Sequence, residues 1–379
     1  MYNYDIPAAR AGSDSVKWHV VADGVIPMWV ADMDIQAAPP VVQAVQQRAA
    51  HPYYGYPYTE DELKNPIIAH YKKLYGAEID PEWLVFVPSV MPGVAAALRM
   101  AGGDFMYSVP MYDHIRSLYK ETGLTVIEVP MQRDENCRYT LDIPALEAAV
   151  TPAVKAMILC NPHNPVGRVF SREELLELYA LCEKHGLLLI SDEIHCEFAL
   201  DVPHVPFFSV SEAAAQHSVT VCSAGKICNI PGLPLGFAVI PNAELRAKFI
   251  KQLDGLQACP NVLTLAAYEK AYDGSCDEWK DGLRDYLRGN RDIAEARFNA
   301  IPGVRTGHNE GTYLLWVDCS ALGLEDPAKF FLDNARVRVN SGAMYGDVQH
   351  IRFNYGCPRA QMVEAIDRME AALKVRAAE

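Results

Sequence analysis

Between residues 154 and 226 the chain repeats one plan three times: a short apolar run closes on polar residues, and a helix signal or a turn cluster separates it from the next. "VKAMILC" (154–160) runs into the turn cluster "NPHNPVG". "LLLISDEIH" (187–195) ends on Asp192, Glu193 and His195, and "SVTVCSAGK" (218–226) ends on Ser223 and Lys226. The spacing predicts a helix over "SREELLELYALCEKHG", with Ser171 as N-cap, Glu174 as its capping-box partner and Gly186 as the stop. Strands apolar on both faces and separated by helices imply a parallel, doubly wound α/β sheet. Ligands bind beyond the carboxyl ends of such strands, so Asn161, Asn164, Asp192, Glu193, His195, Ser223 and Lys226 are expected to converge on one edge.

Lys226 is the anomaly in that set. It stands inside "VTVCSAGKICNIPGLPLGFAVI" (219–240), a stretch that otherwise reads as protein interior. An ammonium there loses hydration unless it is paired, titrated down or consumed in a covalent bond. Earlier, "EWLVFVPSVMPGVAAALRMAGG" reads as strand, tight turn and alanine-rich helix. Its turn, Ser89 to Gly93, presents free backbone N–H groups at a helix N-terminus, suited to phosphate. A lysine near such a cradle, with an aspartate ending a neighbouring strand, has the parts that pyridoxal phosphate chemistry requires. The amine is a nucleophile whose pKa falls on burial, and a buried carboxylate keeps the pyridine nitrogen protonated so that the ring can accept electrons. Asn164 supplies an amide near the ring oxygen. On local sequence alone each residue also has a plainer reading. Asp192 could cap the next helix, Asn164 could shape its turn, and His195 could be a buried histidine with its needs met. Arg352 could join a domain-interface salt bridge, and Tyr56 and Tyr112 could be core or interface aromatics.

At 379 residues the chain exceeds what one core usually supports, so two domains are expected. A net charge of -14, with no basic run, argues against a nucleic-acid surface. No apolar stretch approaches the roughly 20 residues of a membrane span, and the cytoplasm is the expected location. Cys160, Cys182, Cys196 and Cys222 lie in apolar segments and no CxxC pair exists, so the cysteines read as reduced core residues and no metal site is expected. Toward the end, "GTYLLWVDCS", "ARVRVNSGAMYG" and "HIRFNYGC" look like short strands, followed by the amphipathic "PRAQMVEAIDRMEAALKVRA". This predicts a smaller α+β domain of residues 1–45 and 276–379 beside a large domain of 46–275.

The chain resembles the fold-type I pyridoxal phosphate enzymes of aminotransferase class I/II, and within them the cystathionine β-lyase (C–S lyase) subgroup. The carriers are "IPMWVADMD" (26–34), "YYGY" (53–56), "VPSV" (87–90), "VPMYDHI" (109–115), "CNPHNPVGR" (160–168), "SDEIH" (191–195), "SAGKICNI" (223–230) and "RFNYGCPR" (352–359), in order along nearly the whole chain. The resemblance implies that Lys226 is the Schiff-base lysine, Asp192 the partner of the pyridine nitrogen, Asn164 the amide on the ring oxygen and Tyr112 the stacking ring. It implies that Ser223 and the backbone N–H groups of Val90 and Met91 hold the phosphate, with His195 beside the ring. Tyr56 matches a tyrosine that reaches the phosphate of the neighbouring subunit, making the active site a property of a homodimer. Arg352 matches the arginine that grips the substrate α-carboxylate, a task suited to its planar fork, with Asn164 and Tyr56 on the substrate side. The implied reaction is elimination of a thiol from a sulfur amino acid. An aminotransferase shares these motifs, and a cofactor-binding regulatory protein is a third reading. This chain departs from the pattern at Gly225 and Cys228, and "PGLPLG" lacks the arginine that many such enzymes place there.

Overall fold

The computed structural model describes residues 2–7, 10–57, 60–256 and 260–378. A seven-stranded sheet forms its centre: β1 (Leu84–Val87), β2 (Asp104–Val109), β3 (Val126–Pro130), β4 (Val154–Cys160), β5 (Leu188–Asp192), β6 (Ser218–Cys222) and β7 (Gly236–Val239), in spatial order β1-β7-β6-β5-β4-β2-β3. From β6 to β3 all pairings are parallel, whereas β7 runs antiparallel to both β6 and β1. Six strands thus point one way, and the apolar "GFAV" of β7 carried no mark of its reversed direction.

Burial on both faces follows the strand period of two. On β4, Met157 and Leu159 enter one core with Leu175 and Leu178. Ala156, Ile158 and Cys160 enter the opposite core with Val94 and Leu98. The helices that cover these faces include α1 (Val90–Ala101), α2 (Asp113–Thr122) and α3 (Arg172–His185). The capping box is present at α3: Ser171 Oγ accepts the Glu174 N–H, and Glu174 Oε2 accepts the Ser171 N–H. Gly186 ends that helix at φ 63°, a left-handed conformation that costs a Cβ-bearing residue more.

After α4 (Val262–Tyr272) and α5 (Asp277–Ala300) comes a second, antiparallel sheet of β8 (Arg305–Thr306), β9 (Leu314–Asp318), β10 (Asn340–Ser341) and β11 (His350–Asn354), ordered β8-β9-β11-β10. The terminal α6 (Arg359–Ala378) sets Met362, Ile366 and Met369 in one core with Leu314, Ile351 and Phe353. The N-terminal segment packs on this unit: Ile26–Pro27 pairs in parallel with Val337–Arg338, and the Asp34 N–H donates to Gly356. Among the described residues no helix is long and apolar enough to cross a membrane. The nine described cysteines are buried and form no disulfide.

Residues 28–35 form a strap held by side chains from elsewhere in the chain. Asn229, in a left-handed turn at φ 54°, accepts the Met33 N–H at 2.9 Å and donates to Met33 and Ile35 carbonyls at 2.8 and 2.7 Å. Asn354 donates to Val30 and Asp32, and Arg352 donates to Trp29. Tyr313 Oη and Lys226 Nζ both donate to the Ala31 carbonyl. The carbonyls of Trp29, Val30, Ala31, Asp32, Met33 and Ile35 each accept a side-chain bond, and the strap's middle closes one side of the site, where Ala31 lines the cavity.

Candidate active site

Beyond the carboxyl ends of β4, β5 and β6 lies a cavity of about 160 Å³. Val90, Met91, Tyr112, Asn164, Asp192, His195, Ser223 and Lys226 all line it. The topology explains the gathering. Asn164 follows β4, Asp192 is the last residue of β5, and Lys226 sits in the turn after β6. Val90 and Met91 open α1, and Tyr112 precedes α2. The lysine turn is fixed by its own backbone, with Asn229 N–H bonded to Lys226 and Ile230 N–H to Gly225.

Charge in this cavity is drawn toward neutrality. Burial first, and the Arg352 charge second, pull the Lys226 amine down to about 8, against the attraction of Asp32 and Asp192. Burial, with repulsion from Glu193, pushes the Asp192 carboxyl up to about 6. The Ile194 N–H, 3.1 Å from Asp192 Oδ1, and the Lys226 charge act the other way. Asp192 therefore does accept a bond from the turn behind it, and it also faces the cavity. His195 is held neutral by burial and by the charges of Lys226 and Arg352, and its Nδ1 has no partner among the described residues.

Two expected residues sit elsewhere. Arg352, on β11, meets the site through Asn164, whose Oδ1 accepts from Arg352 Nη1 at 3.1 Å. That bond turns the Asn164 amide so that its N–H₂ remains available. The guanidinium lies over the Tyr345 ring at 4.8 Å, and its Nε has no partner among the described residues. Tyr56 is 94% exposed and lies apart from the cavity, on a surface cleft with Arg48 and Leu265.

Ser89, which opens the turn expected to hold phosphate, lines the cavity, as does Cys160, read as a core cysteine; Ala31, Ile194 and Tyr268 line it without having been singled out in the sequence. Ala31 lies inside "IPMWVADMD" and Ile194 inside "SDEIH", so those motifs contained their signal. Tyr268, in "VLTLAAYEKAY" of α4, is marked by nothing in its neighbourhood. No group of three or more His, Cys, Asp or Glu side chains among the described residues could hold a metal ion.

A basic amine, a carboxyl able to hold a ring N–H, an unpartnered imidazole nitrogen and an N-terminal helix turn form a donor set that fits an aromatic aldehyde bearing a phosphate. The serine at the head of α1 makes no capping bond with its side chain, which leaves Ser89 Oγ, among the described residues, available beside the Val90 and Met91 N–H groups.

The fold is that of the fold-type I enzymes, and the chain belongs to the aminotransferase class I and II family, whose model matches residues 25–369. More narrowly, the chain is similar to cystathionine beta-lyase PatB of Bacillus subtilis strain 168, with 34% identity over 388 residues that span 98% of this chain and 100% of that protein. The crystal structure of OvoB superposes with a TM-score of 0.93 at 37% identity, covering 98% of this chain and 99% of that one. Cystalysin from Treponema denticola, whose crystal structure contains pyridoxal 5'-phosphate, superposes with a TM-score of 0.94 at 28% identity over 99% of this chain and 100% of that one.

Proposed function

We propose that this protein is a pyridoxal phosphate-dependent C–S β-lyase that cleaves L-cystathionine or a related S-substituted cysteine to a thiol, pyruvate and ammonia. The observation that carries this reading is the pairing of Lys226 and Asp192 in one cavity, each with its proton affinity shifted toward neutral pH. The end-to-end similarity to a cystathionine beta-lyase supports the choice among reactions.

When bound, pyridoxal phosphate supplies an electron sink that acidifies the Cα–H bond of an amino acid joined to it. Lys226 would hold the cofactor, and its amine, with a pKa near the working pH, is the base placed to take the Cα proton. Asp192 keeps a proton on the ring nitrogen. Asn164, through its N–H₂, and Tyr112 and His195, which line the same cavity, would hold the ring. Arg352, backed by Asn164 and Tyr345, holds the substrate α-carboxylate and so aligns Cα–H for removal while the thiolate leaves Cβ. Ser223, Val90 and Met91 bind the phosphate.

A class I/II transaminase uses the same residues up to the proton transfer, and one assay separates the two. The pure protein with cystathionine and no keto acid is expected to release pyruvate over many turnovers. Release limited to one equivalent per active site would sink the lyase reading.

The active unit in this reading is a homodimer in the cytoplasm, with the large domain at 46–275 and the small domain at 1–45 and 276–379. Tyr53, Tyr54 and Tyr56 form an exposed aromatic run at 72, 59 and 94%, more apolar surface than an isolated loop normally shows water. Tyr56 then reaches the phosphate and substrate of the adjoining subunit. Sedimentation equilibrium is expected to give twice the 42.0 kDa chain mass, and a monomer at micromolar concentration would contradict the shared site.

A further inference from the structure

The phosphate end of the cavity is built from neutral donors. Apart from Lys226, no lysine or arginine among the described residues lines it. Helix α1 offers fewer N–H groups than usual there. Its third position is Pro92, which has none, and the Gly93 N–H is already bonded to Ser89 at 3.2 Å. Val90 and Met91 are left, so the hydroxyl groups at that end carry more of the anion's hydrogen bonding.

Ser223 and Tyr268 form a tight cluster at this end, both lining the cavity. Ser223 Oγ is 2.7 Å from Tyr268 Oη, and each oxygen is 2.7 Å from the Leu235 carbonyl. Ser223 Oγ also accepts the Gly225 N–H at 3.0 Å. A hydroxyl oxygen has two acceptor positions and one proton. One proton suffices for the Leu235 carbonyl and the Tyr268 hydroxyl supplies it, so the Ser223 proton can turn elsewhere. Burial keeps the Tyr268 hydroxyl protonated across the physiological range, so it always has a proton to give.

We infer that Tyr268 is a positioning residue for the cofactor phosphate: its hydroxyl donates to the Leu235 carbonyl and keeps that buried acceptor paired, which releases the Ser223 proton to a phosphate oxygen. Resting on the pyridoxal phosphate reading, this assigns two hydroxyl protons to two acceptors, that of Tyr268 to the Leu235 carbonyl and that of Ser223 to the phosphate. Gly225 belongs to the device. A Cβ at that position would lie 3.2 Å from Ser223 Oγ and 3.6 Å from Tyr268 Oη, crowding the hydroxyl pair.

The test is cofactor binding to apoprotein, read by absorbance titration with pyridoxal phosphate and, in parallel, with pyridoxal, which lacks the phosphate. Tyr268→Phe is expected to raise the Kd for pyridoxal phosphate about tenfold, the scale of a hydrogen bond to a charged group, and to leave that for pyridoxal within about twofold. Because Tyr268 acts through Ser223, the double variant Ser223→Ala/Tyr268→Phe is expected to bind no more weakly than Ser223→Ala alone. An unchanged Kd in Tyr268→Phe, an equal loss for both ligands, or a full further loss in the double variant would each overturn the inference while leaving the cofactor assignment intact. Wild-type protein that binds no pyridoxal phosphate would overturn both.

Discussion

Lys226→Ala is expected to lower the rate of pyruvate release from cystathionine by about 10³-fold or more, and to abolish the visible absorbance band of the bound cofactor. The size follows from the two tasks given to one amine: it anchors the cofactor and it moves the Cα proton. General-base catalysis alone is worth roughly 10² to 10⁴. The variant should fold, because the amine's only hydrogen bond in the described structure is to the Ala31 carbonyl, which also accepts from Tyr313 at 2.9 Å. A small primary amine added to the variant should restore part of the lost rate. A variant that keeps a tenth of wild-type turnover would remove Lys226 from the chemistry.

Asp192→Asn is expected to cost about 10² to 10³ in turnover, the scale of losing one preorganised electrostatic partner in a buried site. In the cofactor-free protein it should do the opposite to stability. The folded-state pKa of Asp192, about 6, lies above its ordinary 3.8. The folded chain therefore holds this proton more tightly than the unfolded one, and stability falls as the pH rises through the window from about 4 to about 6. Above pH 6 the apoprotein bears the whole cost of a buried carboxylate, on the order of 3 kcal/mol. The asparagine variant should accordingly melt higher than wild type at pH 7.5 without cofactor, with the difference closing near pH 4. A lower melting temperature at pH 7.5 would mean that the carboxylate is a net structural support.

Much of the fold was legible because burying polar groups is costly. Asp192, Ser223 and Lys226 stand out at the ends of strands whose other residues are apolar, and that contrast located the cavity. Ser171, Glu174 and Gly186 marked a helix because caps satisfy specific backbone groups. The reversal of β7 was not legible, since an apolar run such as "GFAV" reads alike in either direction. Tyr268 was not legible either: a tyrosine on a helix carries no sign of which hydroxyl it will meet. The strap at 28–35 shows a third limit. Its ties run from Asn229, Asn354 and Tyr313 to main-chain carbonyls, and a carbonyl has no letter in the sequence.

That strap also sets a schedule for the protein's manufacture. The Asn354 amide and the Asp32 carbonyl it binds are 322 residues apart, and Lys226 meets Ala31 across 195. A ribosome has made the entire large sheet before β11 emerges, and at about 5 to 20 residues per second the last wall of the cavity waits many seconds for its ties. The nascent chain can thus assemble its lysine and aspartate early yet lack the enclosure that shields them from water. Enclosure of the site waits for β11, and a chain cut short anywhere before Asn354 lacks the tie to Asp32 that finishes the pocket.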